Sequence, residues 1–233
     1  MSVWTRRELV AALGTALLVP LAHAEEARPT GAAGKLLQNR TELWANYAKR
    51  TKNMMARLTT TRETSLLDEP LVVTGALVFE APHTLVLRDD GLTGSTTFID
   101  PERVVVAPNQ SELPRGPALD PARMPAARWL GDRLLAMFAP GEPDALIAGA
   151  RVNVPKGKGY RIEVLPPRGS AARQVIRSIT LHLDPVAGAV TQVLIAEAQG
   201  DRLLLQITDH RQNVDDADVE RVIKSARDLV GGA

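Results

Sequence analysis

The chain has 233 residues with no cysteine, 28 basic and 27 acidic side chains, and an apolar fraction of 45%. The absence of cysteine excludes disulfides, cysteine-ligated zinc and an anchor acylated on cysteine. The balanced charge lacks the basic excess of nucleic-acid-binding proteins, so no nucleic-acid partner is expected. This composition is typical of a globular chain with a substantial core.

The first 24 residues show the three zones of a secretory signal peptide. Arg6 and Arg7 precede an apolar run over residues 9–21, and Ala22-His23-Ala24 is a small-residue cleavage sequence. The run is shorter than a membrane-spanning helix requires. Residues 5–10 also resemble a twin-arginine motif, so export by the Sec route and export by the twin-arginine route both remain open. Cleavage after Ala24 predicts one mature domain over residues 25–233, located in the periplasm.

Helical spacing of apolar residues predicts an amphipathic helix over residues 34–48. The period then changes to two, which indicates strands, and turn sequences such as Asp68-Glu69-Pro70 separate them into a meander. The strands predicted in this half are 54–67, 71–80 (interrupted by Gly75), 84–88, 95–99 and 103–107.

The second half begins with a proline-rich irregular loop over residues 109–125. A helix is predicted over residues 126–139, because apolar residues follow one side until Pro140-Gly141, and a second helical piece over 143–150. The remaining predicted elements are strands 160–165, 174–183, 190–198 and 202–209, a terminal helix over 219–230, and a frayed end at 231–233.

These elements predict a mainly β protein with helices, in the α+β class. Many short strands joined by tight turns favour one large, curved antiparallel sheet, and its exposed edges favour curling into an unclosed barrel. The helices are expected to pack as a lid over the concave apolar face.

Catalytic motifs are missing from the sequence. It contains no G-x-S-x-G, H-E-x-x-H or P-loop pattern, and residues 155–159 lack the flanking residues that would hold a phosphate, so they indicate a hairpin tip. His83, His182 and His210 are isolated and are expected at the surface, unless the fold assembles them around a metal. We therefore predict no catalytic, cofactor-binding or metal-binding residues, no cofactor, and no enzymatic activity.

The alternating apolar residues place an almost wholly aliphatic surface on one side of the predicted sheet. Such a surface forms either an ordinary filled core or, under only two or three helices, a hollow that accepts a ligand. The residues predicted to line a lipid-binding cavity are Met54, Leu58, Leu77, Phe79, Leu85, Leu87, Trp129, Leu134, Phe138, Ile162, Ile179, Leu181, Val193, Ile195 and Leu205.

Two blocks of sequence resemble a known family. Gly75 to Leu85, a glycine-containing strand that runs through the corner Pro82 into a second strand, is similar to a signature of the periplasmic outer-membrane lipoprotein carriers, the LolA-like proteins. The later block, from Ile179 through Ile195, Gly200-Asp201, Ile207 and Asn213-Val214 to Asp218, resembles the closing hairpins of that family. With the same order of elements, the resemblance extends over residues 34–220.

The resemblance implies a carrier without a cofactor. Such a monomer accepts acyl chains from an inner-membrane exporter, crosses the periplasm as a chaperone and delivers them to an outer-membrane receptor. Ala81 occupies a position where many carriers have an arginine that holds the lid closed, and a charged helix replaces their C-terminal aromatic strand. The expected cargo is therefore a lipoprotein or another lipid, such as a glycolipid. The alternative is a structural or adaptor protein with a filled core that docks on a membrane export complex.

Overall fold

The computed structural model describes residues 28–91, 94–109, 124–141, 143–155 and 159–230. In this part of the chain, single helices separate runs of two to five strands. The predicted signal peptide, most of the proline-rich loop and the predicted frayed end lie outside the described residues. The helices are α1 (Gly31–Ala48), α2 (Pro125–Ala136), α3 (Ala171–Val175) and α4 (Asp216–Val230). The strands are β1 (Asn53–Glu63), β2 (Leu71–Glu80), β3 (Thr84–Asp89), β4 (Ser95–Ile99), β5 (Val104–Pro108), β6 (Arg151–Asn153), β7 (Tyr160–Leu165), β8 (Ile176–Leu183), β9 (Val190–Glu197) and β10 (Arg202–Gln212).

All ten described strands join one sheet in the order β5-β4-β3-β2-β1-β10-β9-β8-β7-β6. Every neighbouring pair is antiparallel. The first and last strands to enter the sheet, β1 and β10, pair at its centre, while β5 and β6 form its two ends. The sheet is not closed, and the predicted fold class is confirmed.

The two faces of the sheet carry separate apolar clusters. On the inner face, which α1 and α2 cover, one cluster extends from Val104 on β5 to Val152 on β6. On the outer face, a second cluster lies under α4. Strand register explains the separation, because side chains of residues two apart share a face. One row in register on the inner face is Met54, Phe79, Leu85, Ile99 and Val104, and one on the outer face is Val78, Val86, Phe98 and Val105.

The terminal helix α4 packs on the outer face and not with the lid helices. Its buried residues Val219, Ile223, Ala226 and Val230 follow one helical stripe, and this stripe contacts the outer cluster. Asp216 in its first turn accepts a hydrogen bond of 2.7 Å from Asn53 Nδ2. This contact ties the helix to the beginning of β1.

Two predicted elements are corrected by the structure. Residues 143–150, predicted to be helical, form successive turns in which Ile147 N donates to Asp144 O and Ala150 N donates to Ile147 O. Gly149 follows with a φ of +63°, which a continuing helix does not allow. Strand β1, predicted to extend to Leu67, ends at Glu63, because residues 64–70 form the turns that lead into β2.

Two short elements were not predicted from the sequence. Strand β6 has only three residues, which is too short to show alternation. Helix α3 replaces the predicted beginning of β8, and the Ser170 hydroxyl caps it by accepting from Arg173 N at 3.2 Å.

Strand β2 continues through Gly75, whose Cβ, if present, would lie 1.9 Å from Arg88 O. The glycine thus permits close strand pairing and does not interrupt β2.

Candidate binding site

The residues predicted to line the cavity all belong to the inner-face cluster or pack against it. All of them except Leu87 and Trp129 are buried, and these two are half-buried. Their side chains contact one another and the helices above them. In the described part of the chain, the inner face is therefore filled by its own side chains. Surface depressions lie elsewhere, along the exposed side of α4 and beside Arg57 and Asp209.

The inner face is aliphatic across the second half of the sheet as well. One row in register consists of Ile162, Leu181, Val193 and Leu205. Phe79 is the exception in the first half, and its ring centre lies 6.3 Å from that of Phe138, just after α2. A surface made of branched aliphatic chains imposes few directional requirements on whatever packs against it. The residues predicted as a cavity are thus brought together as one continuous apolar surface.

Helix α1 is fastened to this surface by satisfied polar contacts. Trp44 is fully buried, and its Nε1 donates to Met137 O at 2.8 Å. The buried Arg40 guanidinium donates to Arg161 O and, at 3.3 Å, to Gly159 O. Burial, and secondarily the charge of Arg161, lower the pKa of Arg40. Both polar groups that α1 buries at these positions have partners.

Helix α2 packs closely on the end of the sheet. A Cβ on Gly131 would lie 2.6 Å from Val104 Cγ2, so the helix backbone lies almost on β5. Leu134 and Leu135 are buried beside it. Arg128 donates to Pro101 O in the turn between β4 and β5 and pairs with Asp132 at 3.0 Å. These contacts hold one side of α2 against the sheet.

The opposite side of α2 buries polar atoms that lack partners. Arg133 Nε and Nη1 and Trp129 Nε1 are inaccessible to solvent and have no hydrogen-bond partner within the described part of the chain. Burial lowers the pKa of Arg133, and the neighbouring Asp132 opposes this only in part. A buried donor without a partner costs about 1–3 kcal/mol, and more when it is charged. The packing of α2 on the core therefore carries a considerable free-energy cost from these buried donors.

Little in the sequence indicates that Trp129 and Arg133 are buried together. Arg133 follows Asp132, and such charged neighbours on a helix ordinarily face solvent. The only local clue is the spacing of Trp129 and Arg133, four residues apart, which places both side chains on one helix face. Their burial is a tertiary effect.

The inner face becomes exposed at the hairpin that joins β1 and β2. Val73 is half-buried and Leu71 is 52% exposed, although both continue the inner-face alternation of β2. Leu66 at the tip of the hairpin is 88% exposed. On the same face of β1, Arg62 pairs with Glu197 at 3.6 Å. The covered apolar surface thus extends to solvent at this end of the sheet.

The histidines are not brought together by the fold. His83 is exposed, His182 is half-buried on β8, and a ring nitrogen of His210 lies 2.9 Å from Val190 O. Among the residues described, no group of three or more His, Cys, Asp or Glu side chains is arranged to hold a metal ion. Nor does any described helix combine the length and apolar character needed to cross a membrane.

Comparisons of the sequence with protein-family models and with curated proteins give no match. Comparisons of the fold do give matches. A LolA superfamily protein from Nitrosomonas europaea is similar over 78% of this chain and 96% of its own, with 7% identity and a TM-score of 0.41. The lipoprotein LppX of Mycobacterium tuberculosis is similar over 78% of this chain and 98% of its own, with 13% identity and a TM-score of 0.40.

A chain of the Pseudomonas aeruginosa MucA/MucB complex is a third similar structure. It matches over 78% of this chain and 60% of its own length, with 12% identity and a TM-score of 0.39.

Proposed function

We propose that the protein is a periplasmic carrier that binds the acyl chains of a lipoprotein or a related lipid and releases them at a second membrane. The observation that carries the proposal is the continuous aliphatic inner face, which extends over all ten strands. It lies beneath α1 and α2 and reaches solvent at Leu71. In this proposal the structure is the closed, unloaded form, and the role is binding and transfer rather than catalysis.

Loading exchanges one apolar partner of the inner face for another. An acyl chain of about 15 methylenes gains about 12 kcal/mol when it leaves water, at about 0.8 kcal/mol per methylene. The large apolar side chains of α2 and the turn after it are Trp129, Leu130, Leu134, Leu135, Met137 and Phe138. At about 1.5–3 kcal/mol each, their burial contributes about 9–18 kcal/mol. Because the two amounts are similar, a lipid can replace the lid helix without unfolding the sheet.

Helix α2 is the element that we propose to move. Nε and Nη1 of Arg133 and Nε1 of Trp129 are buried without partners among the described residues, whereas Arg40 and Trp44 of α1 are hydrogen-bonded. Displacing α2 would break the bonds of Trp44 to Met137 O and of Arg128 to Pro101 O, but it would also return the unpartnered donors to water and recover part of the free-energy cost of burying them. Displacing α1 would break the bonds of Arg40 and Trp44 without this compensation.

The direct test is to isolate the mature protein from the periplasm and to analyse it by native mass spectrometry and lipid extraction. A carrier should yield acyl-chain species in stoichiometric amounts. Recovery of no such species, from protein that also fails to bind a fluorescent fatty acid in vitro, would refute the proposal.

Single substitutions test which face binds the cargo. Leu77→Glu and Ile195→Glu place a charge on the inner face, so both should abolish cargo binding. Val78→Glu is the matched control, because Val78 is the next residue on β2, is equally buried and faces outward. Where a glutamate variant does not fold, Leu77→Ala and Val78→Ala make the same comparison. Unchanged binding by the folded inner-face variants would contradict the assignment.

A second candidate function is an adaptor that docks on a membrane export complex. The filled inner face favours it, because a protein that uses its fold only for docking needs no hollow. The exposed leucines of the β1–β2 hairpin, Leu66 and Leu67, offer an apolar contact for a partner. Protein that contains no lipid and binds none, but that co-purifies with an inner-membrane complex, would establish this function instead.

A further inference from the structure

Arg133 is the feature of the lid that the apolar function leaves unexplained. It lies on α2, and its guanidinium carbon is 6.0 Å from the centre of the Trp129 ring. Stacking on an aromatic face attracts a cation but does not satisfy its N–H donors. Nε and Nη1 of Arg133 and Nε1 of Trp129 are all buried without an acceptor in the described part of the chain.

Arg40 on α1 is also buried, and its contacts show which partners a purely structural arginine has. Arg40 stacks on Tyr160 at 5.9 Å, much as Arg133 stacks on Trp129, but its guanidinium also donates to two backbone carbonyls. Arg40 therefore finds its hydrogen-bond acceptors within the protein. Arg133 also stacks on an aromatic ring, but among the described residues no oxygen atom accepts a hydrogen bond from its buried Nε or Nη1.

The missing partner is an acceptor with negative charge. Arginine remains protonated at any physiological pH and donates only, and the indole N–H is likewise a donor only. A carboxylate or phosphate oxygen is the group that satisfies both, through charge-assisted hydrogen bonds. The pair sits on the helix that covers the inner face, so an anion there would lie beside the apolar surface.

We infer that Arg133 and Trp129 form a binding subsite for the oxyanion headgroup of an acyl amphiphile, a carboxylate or a phosphate ester. The inference rests on the proposed function and narrows its ligand class to anionic lipids. The acyl chain packs on the inner face, and the headgroup accepts hydrogen bonds from the Arg133 guanidinium and the Trp129 indole. The headgroup therefore fixes which end of the lipid lies beside the displaced α2.

The test compares cis-parinaric acid with its methyl ester on the full mature chain at pH 8. The two probes have the same acyl chain and differ only in whether the headgroup is a charged carboxylate or a neutral ester. The wild type should bind the acid at least about tenfold more tightly than the ester, the size expected of one charge-assisted contact. Arg133→Met should lose most of the preference for the acid, and Trp129→Phe should lose a smaller part of it.

A control variant and a stability measurement separate binding from structure. Arg227→Met removes an arginine that stacks on Phe98 of the outer face at 5.8 Å, and it should retain the preference for the acid. Arg133→Met should also raise the Tm of the unloaded protein, because it removes two nitrogens that are buried without a hydrogen-bond partner in the described part of the chain. A purely structural arginine would give a lower Tm instead.

The outcomes that overturn the inference are distinct from those that overturn the function. Equal binding of acid and ester by the wild type, or an undiminished preference in Arg133→Met, would overturn the headgroup subsite alone. Binding of neither probe would overturn the carrier function and the subsite with it. Dodecyl phosphate should compete with the acid, whereas 10 mM inorganic phosphate should not. Displacement by inorganic phosphate would show a site for a free anion rather than for a lipid.

Discussion

His182 is the residue whose environment links stability to pH most directly. It lies half-buried on β8, opposite Arg161 of β7 in the antiparallel register. Burial first, and the positive charge of Arg161 second, lower the pKa of the imidazole from 6.5. Both causes disfavour the charged ring in the folded state, so the folded chain binds this proton less readily than the unfolded chain does.

We expect stability to fall as the pH decreases through about 6.5. Below that pH the unfolded chain takes up a proton on His182 while the folded chain does not, and the loss is complete once the pH is below the folded pKa. Urea titrations at pH 7.5 and pH 5.5 should show a smaller difference in the free energy of unfolding for His182→Gln than for the wild type.

The same comparison has an internal control at higher pH. Between pH 7.5 and pH 8.5, His182 is neutral in both the folded and the unfolded chain, so the variant and the wild type should change in parallel. Equal losses of stability for the two proteins between pH 7.5 and pH 5.5 would contradict the assignment to His182.

At the scale of single elements, the docking of α2 depends on Gly131. Alanine would favour the helix by about 1 kcal/mol. Its Cβ, however, would lie 2.6 Å from Val104 Cγ2, and a β-branched side chain on a strand has little freedom to move. Overpacking of this kind costs about 1–3 kcal/mol. We expect Gly131→Ala to destabilise the protein by about 1 kcal/mol despite the better helix former.

A double-mutant cycle tests the contact itself. Val104→Ala removes the obstructing methyl groups, so Gly131→Ala should cost little or nothing in that background, with a coupling energy of about 1 kcal/mol or more. Gly131→Ala combined with Ile223→Ala on the outer face should be additive. Additivity in both pairs would show that α2 does not pack on Val104 as described.

Which elements the sequence predicts depends on how many residues carry the pattern. Strands β2 and β8 are long enough for alternation to assign Leu77 and Ile179 to one face, and the structure places both on the inner face. Strand β6 and helix α3 have 3 and 5 residues, so neither completes a recognisable period. Their positions follow from pairing with β7 and from the Ser170 cap, which are tertiary and local features that a hydrophobic pattern does not contain.

The candidate site was predictable only in its apolar part. Alternation identifies which aliphatic side chains share a face, but whether that face encloses a hollow depends on how the helices dock. The positions of Leu134 and Phe138 relative to Phe79, which fill the space, are not encoded in any local period. The burial of Nε and Nη1 of Arg133 is likewise a result of docking, since charged side chains are ordinarily exposed.

For the whole molecule, the proposed carrier function requires the inner face to open, and the absence of cysteine makes that requirement testable. The proximity of Gly131 to Val104 suits a disulfide, whose Cβ atoms lie about 3.5–4.5 Å apart. In the variant Gly131→Cys/Val104→Cys, the bond would fasten α2 to β5 and would be the only disulfide, because the natural chain has no cysteine.

We expect the oxidised double variant to lose uptake of cis-parinaric acid and the reduced protein to regain it, as measured by fluorescence titration before and after dithiothreitol. The reduced form of the same protein controls for any effect of the two substitutions, and Val104→Cys alone controls for the oxidant. Because the bond leaves the inner face unaltered in composition, a loss of uptake on oxidation can arise only from the fixed position of α2. Equal uptake by the oxidised and reduced forms would show that acyl chains reach the inner face without displacing α2, through the exposed end at Leu71.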